Sequence, residues 1–346
     1  MVMNYKFDNP IRLIELFAGY GSQALALKYL DIPFEHHFIC EFDKYAIQSY
    51  NDIHGTNFDV LDIRNIHAED LNITEVDKYK YLMTYSFPCT DLSLAGKRRG
   101  MQRESGTSSS LLWEVERLLK ECKELPQYLL MENVPQVISN DNIKLFGEWI
   151  QFLIKLGYVN YYKLLNAKDF GVPQNRERCF MVSILKSENK QFSFPKSKPL
   201  EIRLNDLLET DIDFTSYILS NKNKESIVMS KFYSRALSFL DISHKDVCSC
   251  LLANEGALSD VKIIKLCNLP NSSGSDDIAK IYQDDYRALT PKEYFRLMGV
   301  QNEDYNKLTV STTQRYKQAG NSIVVDVLMA IFENMFLKNC KSGKLF

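Results

Sequence analysis

Ile11-Arg12-Leu13-Ile14-Glu15-Leu16-Phe17-Ala18-Gly19-Tyr20-Gly21-Ser22 is the stretch on which the reading of the fold turns. Residues 11–17 alternate as a strand does, 18–22 make a tight glycine loop, and 23–30 read as a helix with Ala26 and Leu30 on one face. A strand, a glycine turn and a helix in that order aim backbone N–H groups and a helix N-terminus at a ligand. Phe17-x-Gly19-x-Gly21 is one glycine short of the dinucleotide fingerprint, so an ordinary βα turn explains it equally well.

The residues that follow narrow the choice. His37-Phe38-Ile39-Cys40 reads as a short strand, and Glu41 stands at its end, where a carboxylate accepts hydrogen bonds from ribose hydroxyls. Phe42 suits packing on a purine ring. Each also has a plain structural role, Glu41 as a helix cap and Phe42 as core. Phe58-Asp59-Val60-Leu61 is a third strand candidate. It leads to Asp62, placed for an adenine amino group, and to Ile63, an apolar neighbour for the ring. Three βα units thus point to an adenosine-containing cofactor.

Further along, Tyr81 to Phe87 reads as a buried strand that Pro88 must end, which leaves Cys89 at a strand's carboxyl end. Ligands bind at that edge of an open parallel sheet. A lone cysteine is more commonly a small buried hydrophobe than a nucleophile. The loop beyond it has three glycines as pivots, and its cations Lys97, Arg98, Arg99 and Arg103 suit phosphate. Leu111, Leu112, Val115, Leu118 and Leu119 recur at helical spacing. The strand Tyr128 to Met131 then delivers Glu132-Asn133-Val134 to the same edge. A carboxyl at the end of so apolar a run suits a general acid, with a polar strand cap as the alternative. Two strands, 159–165 and 179–185, flank Gln174-Asn175-Arg176-Glu177-Arg178. At period two, Gln174, Arg176 and Arg178 share a face suited to a phosphate and a pyrimidine carbonyl.

Composition sets outer bounds. The chain has 346 residues, 45% hydrophobic and 25% charged, which is enough for a large α/β domain and a smaller one. No apolar run is long enough to span a bilayer and no signal-peptide core opens the chain, so a cytoplasmic protein is expected. Eight cysteines without a spacing pattern argue for free thiols. His244, Cys248, Cys250 and Cys267 fit no common zinc spacing, and no metal is expected. A net charge of −2 means that any nucleic-acid partner must meet local basic patches.

Taken in order, Phe17-x-Gly19-x-Gly21, Glu41, Asp62, Pro88-Cys89, Glu132-Asn133-Val134, Gln174-x-Arg176-x-Arg178, Arg287-Ala288-Leu289-Thr290-Pro291-Lys292-Glu293 and Gly320-Asn321-Ser322-Ile323-Val324 resemble the DNA (cytosine-5) methyltransferases of the bacterial and phage single-chain type. The resemblance covers the chain except roughly 186–285. It departs at Thr90, where the family more often has glutamine, which bears on how the space of an extruded base is filled.

The resemblance implies an α/β fold: a Rossmann-like S-adenosylmethionine-dependent methyltransferase sheet with a smaller target-recognition domain. Residues 1–186 would be the catalytic and cofactor-binding domain, 187–285 the target-recognition domain, and 286–346 a segment returning to the catalytic domain. Cys89 would attack carbon 6 of a flipped-out cytosine, Glu132 would protonate ring nitrogen 3, Arg178 would hold the 2-carbonyl, and Arg176 a phosphate or the loop. S-adenosylmethionine would be held by Phe17, Gly19, Gly21, Glu41, Phe42, Asp62, Ile63, Pro88, Asn321 and Ser322, the last two opening an apolar helix over 323–337. Ser93, Lys97, Arg98, Arg99, Arg103, Gln174 and Arg287 would touch double-stranded DNA. A monomer is expected, with a cognate restriction endonuclease as a possible companion. Open alternatives are a tRNA methyltransferase of the same architecture, a silent DNA-binding paralogue, and a nicotinamide oxidoreductase.

Overall fold

The computed structural model describes residues 5–88, 102, 108–210, 212–220, 241–243, 245–253, 262–265 and 286–337. The chain packs as two units. Met1–Asn166, Glu177–Ser197 and Val325–Phe346 form the first, and Ala167–Arg176 with Lys198–Val324 the second. These packing units are not drawn at 187 and 286, the functional boundaries expected from the resemblance: 286–324 packs with the second unit.

The first unit is built on a six-stranded sheet. Its strands are β1 (Ile11–Leu16), β2 (Phe34–Cys40), β3 (Lys80–Tyr85), β4 (Tyr128–Asn133), β5 (Tyr158–Asn166) and β7 (Glu177–Leu185), in the order β2-β1-β3-β4-β7-β5. The first four run parallel and β7 runs antiparallel to both its neighbours. The two central strands β3 and β4 are apolar runs because they are covered on both faces. The core beneath them takes Leu112, Val115, Leu118 and Leu119 from α3 (Leu112–Glu121) and Phe146, Trp149 and Leu153 from α4 (Ile143–Lys155).

Helix α1 (Ser22–Tyr29) is buried from Ser22 through Leu27, which is why its sequence shows so little amphipathic pattern. Its apolar partner is α8 (Val325–Phe332), from the far end of the chain. Helix α2 (Lys44–His54) begins on an Asp43 cap that accepts from the Tyr45 N–H at 2.9 Å. Under the first turn, the Tyr50 hydroxyl donates to the fully buried Glu15 at 2.6 Å, and His36 Nδ1 lies 2.6 Å from the same hydroxyl.

Two expectations fail here. Residues 58–61 form no strand, so two βα units and an extended connection, not three βα units, lead to Asp62. Gly320 and Asn321 end a helix, α7 (Thr312–Asn321), and do not open one. The apolar stretch that follows runs on as α8 and a π-helical turn, Glu333–Leu337.

In the second unit, β6 (Gln174–Asn175) pairs with β8 (Cys248–Ser249), and β9 (Ile263–Lys265) with β10 (Tyr286–Ala288). Helix α5 (Pro291–Arg296) carries the capping box legible in its sequence: Glu293 N–H donates to Thr290 Oγ1, and the Glu293 carboxylate accepts from Thr290 N–H. Helix α6 (Asn302–Tyr305) follows it. Among the described residues no single helix is long and apolar enough to cross a membrane.

Candidate active site

Three turns of the first unit meet at the carboxyl edge of its parallel strands. Phe17 follows β1 in a left-handed conformation (φ 60°) that a side chain rarely adopts, and its N–H donates to the Cys40 carbonyl at 2.8 Å. That strain opens the glycine turn. Gly19 has φ 59° and nothing within 4 Å of where a Cβ would stand, so the space on its side-chain side is open. Gly21 has φ 84°, and a Cβ there would lie 2.3 Å from His54 Nε2 and 2.7 Å from the Tyr50 ring. The first glycine leaves room for a ligand. The second leaves room for α2.

Glu41, at the end of β2, is already engaged: Oε2 accepts from Gly19 N–H at 3.0 Å and Oε1 from Asp43 N–H at 2.9 Å. Burial raises its pKa against the pull of these bonds. It braces the glycine turn as well as facing the site. Phe42 beside it is 67% exposed, an unpacked ring of the kind a purine stacks on and not the core residue its composition allowed. Asp62 is held by the side chain and backbone N–H of Arg64, which keeps its carboxyl below the usual carboxylate range. Ile63, at 3% exposure, packs its side chain into the core. Open space beside Gly19, an exposed aromatic ring and an ionised carboxylate are groups that fit a nucleoside.

The second cluster lies where β3 and β4 end. Strand β3 continues into buried Phe87 and then Pro88, whose carbonyl accepts from Ser109 Oγ at 2.9 Å. Asn133 Nδ2 donates to the Phe87 carbonyl at 2.9 Å, and its Oδ1 accepts from Val134 N–H. Asn133 thus ties the end of β4 to the residue two before Cys89, a role the sequence reading missed although it quoted the Glu-Asn-Val run. Glu132 lies beside it with its side chain 10% exposed, 3.3 Å from Arg178 Nε on the neighbouring antiparallel strand. Cys89, Thr90, Ser93, Lys97, Arg98, Arg99 and Arg103 lie outside the described residues, as do His244 and Cys267.

Three residues expected to touch ligands make their contacts inside the second unit. Gln174 is fully buried, its amide donating to the Leu297 carbonyl at 2.6 Å and accepting from Leu251 N–H at 3.1 Å. Arg176 is buried as well and donates to the carbonyls of Leu251 (2.8 Å), Gly320 (2.9 Å) and Ser322 (2.6 Å). Gly320 is required there, because a Cβ would stand 2.3 Å from the Leu252 carbonyl. Arg287, expected on the DNA backbone, has a side chain 5% exposed and pairs through two nitrogens with Glu293, at 2.7 and 2.8 Å. The face shared by Gln174, Arg176 and Arg178 is therefore not one binding face: the strand breaks at Arg176 and only Arg178 reaches Glu132. Asn321 is exposed at the end of α7, and Ser322 follows it.

Known proteins match this chain along almost its whole length. Residues 11–337 match the model of the C-5 cytosine-specific DNA methylase family. The type II methyltransferase M2.ScrFI of Lactococcus lactis is 34% identical, covering 94% of this chain and 99% of its own. The orphan methyltransferase M.SssI of Spiroplasma monobiae is 34% identical over 80% of this chain and 69% of its own, and the type II methyltransferase M.HhaI of Haemophilus parahaemolyticus is 30% identical over 94% of each. Among solved structures, the Dnmt2 methyltransferase of S. pombe has a TM-score of 0.72 at 22% identity, covering 93% of this chain and 97% of its own, a likeness of fold.

Proposed function

The chain belongs to the C-5 cytosine-specific DNA methylases, and from that premise we propose that it methylates carbon 5 of a cytosine flipped out of duplex DNA, through a transient bond between Cys89 and carbon 6. Carbon 5 of cytosine is too weak a nucleophile to be methylated unaided. The Cys89 thiolate adds to carbon 6 and pushes the ring electrons toward nitrogen 3, where Glu132 delivers a proton. Arg178 donates to the 2-carbonyl oxygen and offsets the charge gathering there. S-adenosylmethionine, the methyl donor of the reaction, supplies an electrophilic methyl group on a sulfonium. Glu132 then takes back the nitrogen 3 proton, the carbon 5 proton passes to water, and the electron pair it leaves forms the 5,6 double bond as the Cys89 thiolate departs from carbon 6, restoring the aromatic ring.

One observation carries this reading: Glu132, with Arg178 3.3 Å away, ends the strand that Asn133 fastens to the Phe87-Pro88 turn leading into Cys89. The glycine turn, with open space beside Gly19, and the exposed Phe42 ring stand on the same sheet edge. Since chemistry on the base is impossible inside the stack, extrusion of the cytosine is part of the proposal. Arg176 and Arg287 enter it as fasteners of the second unit, which we assign to target recognition. We infer a monomeric cytoplasmic enzyme of a restriction-modification system, or an orphan of that kind.

The test is a duplex carrying 5-fluorocytosine. Fluorine cannot leave as a proton does, so the adduct persists and the protein should migrate with DNA under denaturing conditions. Cys89→Ser should form no such band and transfer no tritiated methyl group. Methyl transfer to tRNA but not to duplex DNA, or a fully active Cys89→Ser protein, would end the proposal.

A further inference from the structure

Arg117, which none of the chemistry above uses, makes five hydrogen bonds within the first unit. It sits on α3 with its side chain 29% exposed. Nε donates to Glu114 at 2.8 Å and Nη1 to both oxygens of Glu121 at 3.0 and 3.1 Å. Nη2 crosses to another element altogether, donating to the backbone carbonyls of Ile63 at 3.0 Å and Ile66 at 2.9 Å. Surface ion pairs on one helix contribute little. The two carbonyl bonds are the informative ones, because a fixed guanidinium fork gripping both ends of one turn sets that turn's position.

That turn is the short 3-10 helix Ile63–Asn65, and Asp62 caps it. The residues before it lie in no strand, so no sheet ladder fixes the height of Asp62 above the site. What holds it is Leu61 N–H on the Glu41 carbonyl at 3.0 Å, the burial of Ile63 and Ile66, and Arg117. Helix α3 is itself pinned near the other cluster, since the turn leading into it places Ser109 Oγ on the Pro88 carbonyl. One element thus touches both the Pro88 turn and the Asp62 turn.

We propose that Arg117 is a positioning residue for the cofactor's adenine, holding the 62–66 turn where the Asp62 carboxylate accepts from the adenine amino group. The inference rests on the reading of Asp62 as an adenine contact. It makes a specific demand: loss of Arg117 should blur the distinction between an amino group, which donates to a carboxylate, and a carbonyl oxygen at the same ring position, which repels one.

The experiment measures equilibrium binding of S-adenosylhomocysteine and of its inosine analogue, S-inosylhomocysteine, to the DNA-free full chain. Wild type is expected to favour the adenine compound strongly. Arg117→Met should bind it about tenfold more weakly and lose most of the preference, on the order of one lost charged hydrogen bond. Arg117→Lys, which keeps a cation but not the fork, should fall between. Glu114→Gln removes only the ion pair to Arg117 Nε, leaves both carbonyl bonds in place, and should stay within about twofold of wild type. Unchanged affinity and preference in Arg117→Met would overturn the proposal, and so would an equal loss toward both compounds, the mark of a merely structural residue. If Arg117→Met fails to fold, Arg117→Lys decides by the same two criteria. Wild type binding neither compound would end the cofactor reading itself, an outcome distinct from the other two.

Discussion

Alanine at Gly21 and at Gly19 should separate stability from binding, although the two glycines stand two residues apart in one turn. At Gly21 the new methyl would lie 2.3 Å from His54 Nε2 and 2.7 Å from the Tyr50 ring, on a backbone with φ 84°. The left-handed backbone costs about 1–2 kcal/mol for a residue with a Cβ. Pushing aside a packed ring costs about 1–3 kcal/mol more. His54 would also lose its 3.1 Å contact with the Tyr20 carbonyl. A loss of ~3 kcal/mol in a unit of roughly two hundred residues lowers its melting temperature by about 6–12 °C. Gly19→Ala carries only the backbone term, because nothing lies within 4 Å of its Cβ position. Its melt should fall by about 2–8 °C, while S-adenosylmethionine binding, which needs that space, should weaken at least about tenfold. Calorimetric melts of both variants, with and without S-adenosylhomocysteine, read the two effects. The reasoning is refuted if Gly21→Ala melts within 2 °C of wild type, or if Gly19→Ala is the less stable of the two.

Four further outcomes are expected. Phe42→Ala should leave the melt unchanged, since the ring is 67% exposed, and weaken cofactor binding by about tenfold in a titration. Asn133→Ala should cost about 1–3 kcal/mol in a denaturant melt, because it leaves the buried Phe87 carbonyl without its donor, and should lower turnover far more than that loss explains. Arg287→Met should cost about 3–5 kcal/mol by stranding the Glu293 carboxylate, while leaving the salt dependence of DNA binding as steep as in wild type. Glu15 is fully buried and burial raises its carboxyl to about 8, well above its unfolded value, so the folded state holds the proton longer. Its contribution is complete below the unfolded pKa and lost as pH rises toward 8, at up to about 1.4 kcal/mol per pH unit. Glu15→Gln should flatten that decline; an unaltered pH profile in urea melts would show the carboxyl is not neutral when folded.

The parts of this protein that could be read in advance were those where local chemistry and global fold agree. The strand, glycine turn and helix at 11–30, the capping box at Thr290 and the apolar runs of β3 and β4 each have a pattern with one physical solution. The misreadings share a cause. Phe58 to Leu61 alternates as a strand should, but no ladder pairs it, and pairing is a property of neighbours and not of the run. Arg176 and Arg287 have the chemistry of phosphate ligands, and the same forks satisfy buried carbonyls and Glu293. Nothing in a guanidinium's own sequence says which oxygen it will meet. Gln174, Arg176 and Arg178 keep the alternation of one strand, yet the chain passes from one packing unit to the other between Arg176 and Glu177. Phe42 was legible as a candidate ring contact, but only its exposure separates that role from a place in the core.

The pairing of α1 with α8 bears on how the chain is made. A ribosome releases α1 among the first thirty residues and α8 some three hundred residues later, so the newborn first unit carries an apolar groove that no earlier part of the chain fills. Its completion waits on synthesis of the entire second unit, since the chain passes from one unit to the other after 166, 176, 197 and 324. A nascent polypeptide halted before Val325 would thus be a client for chaperones and proteases and not a smaller enzyme, and cutting the gene into two separately folding halves would require rerouting these crossings first.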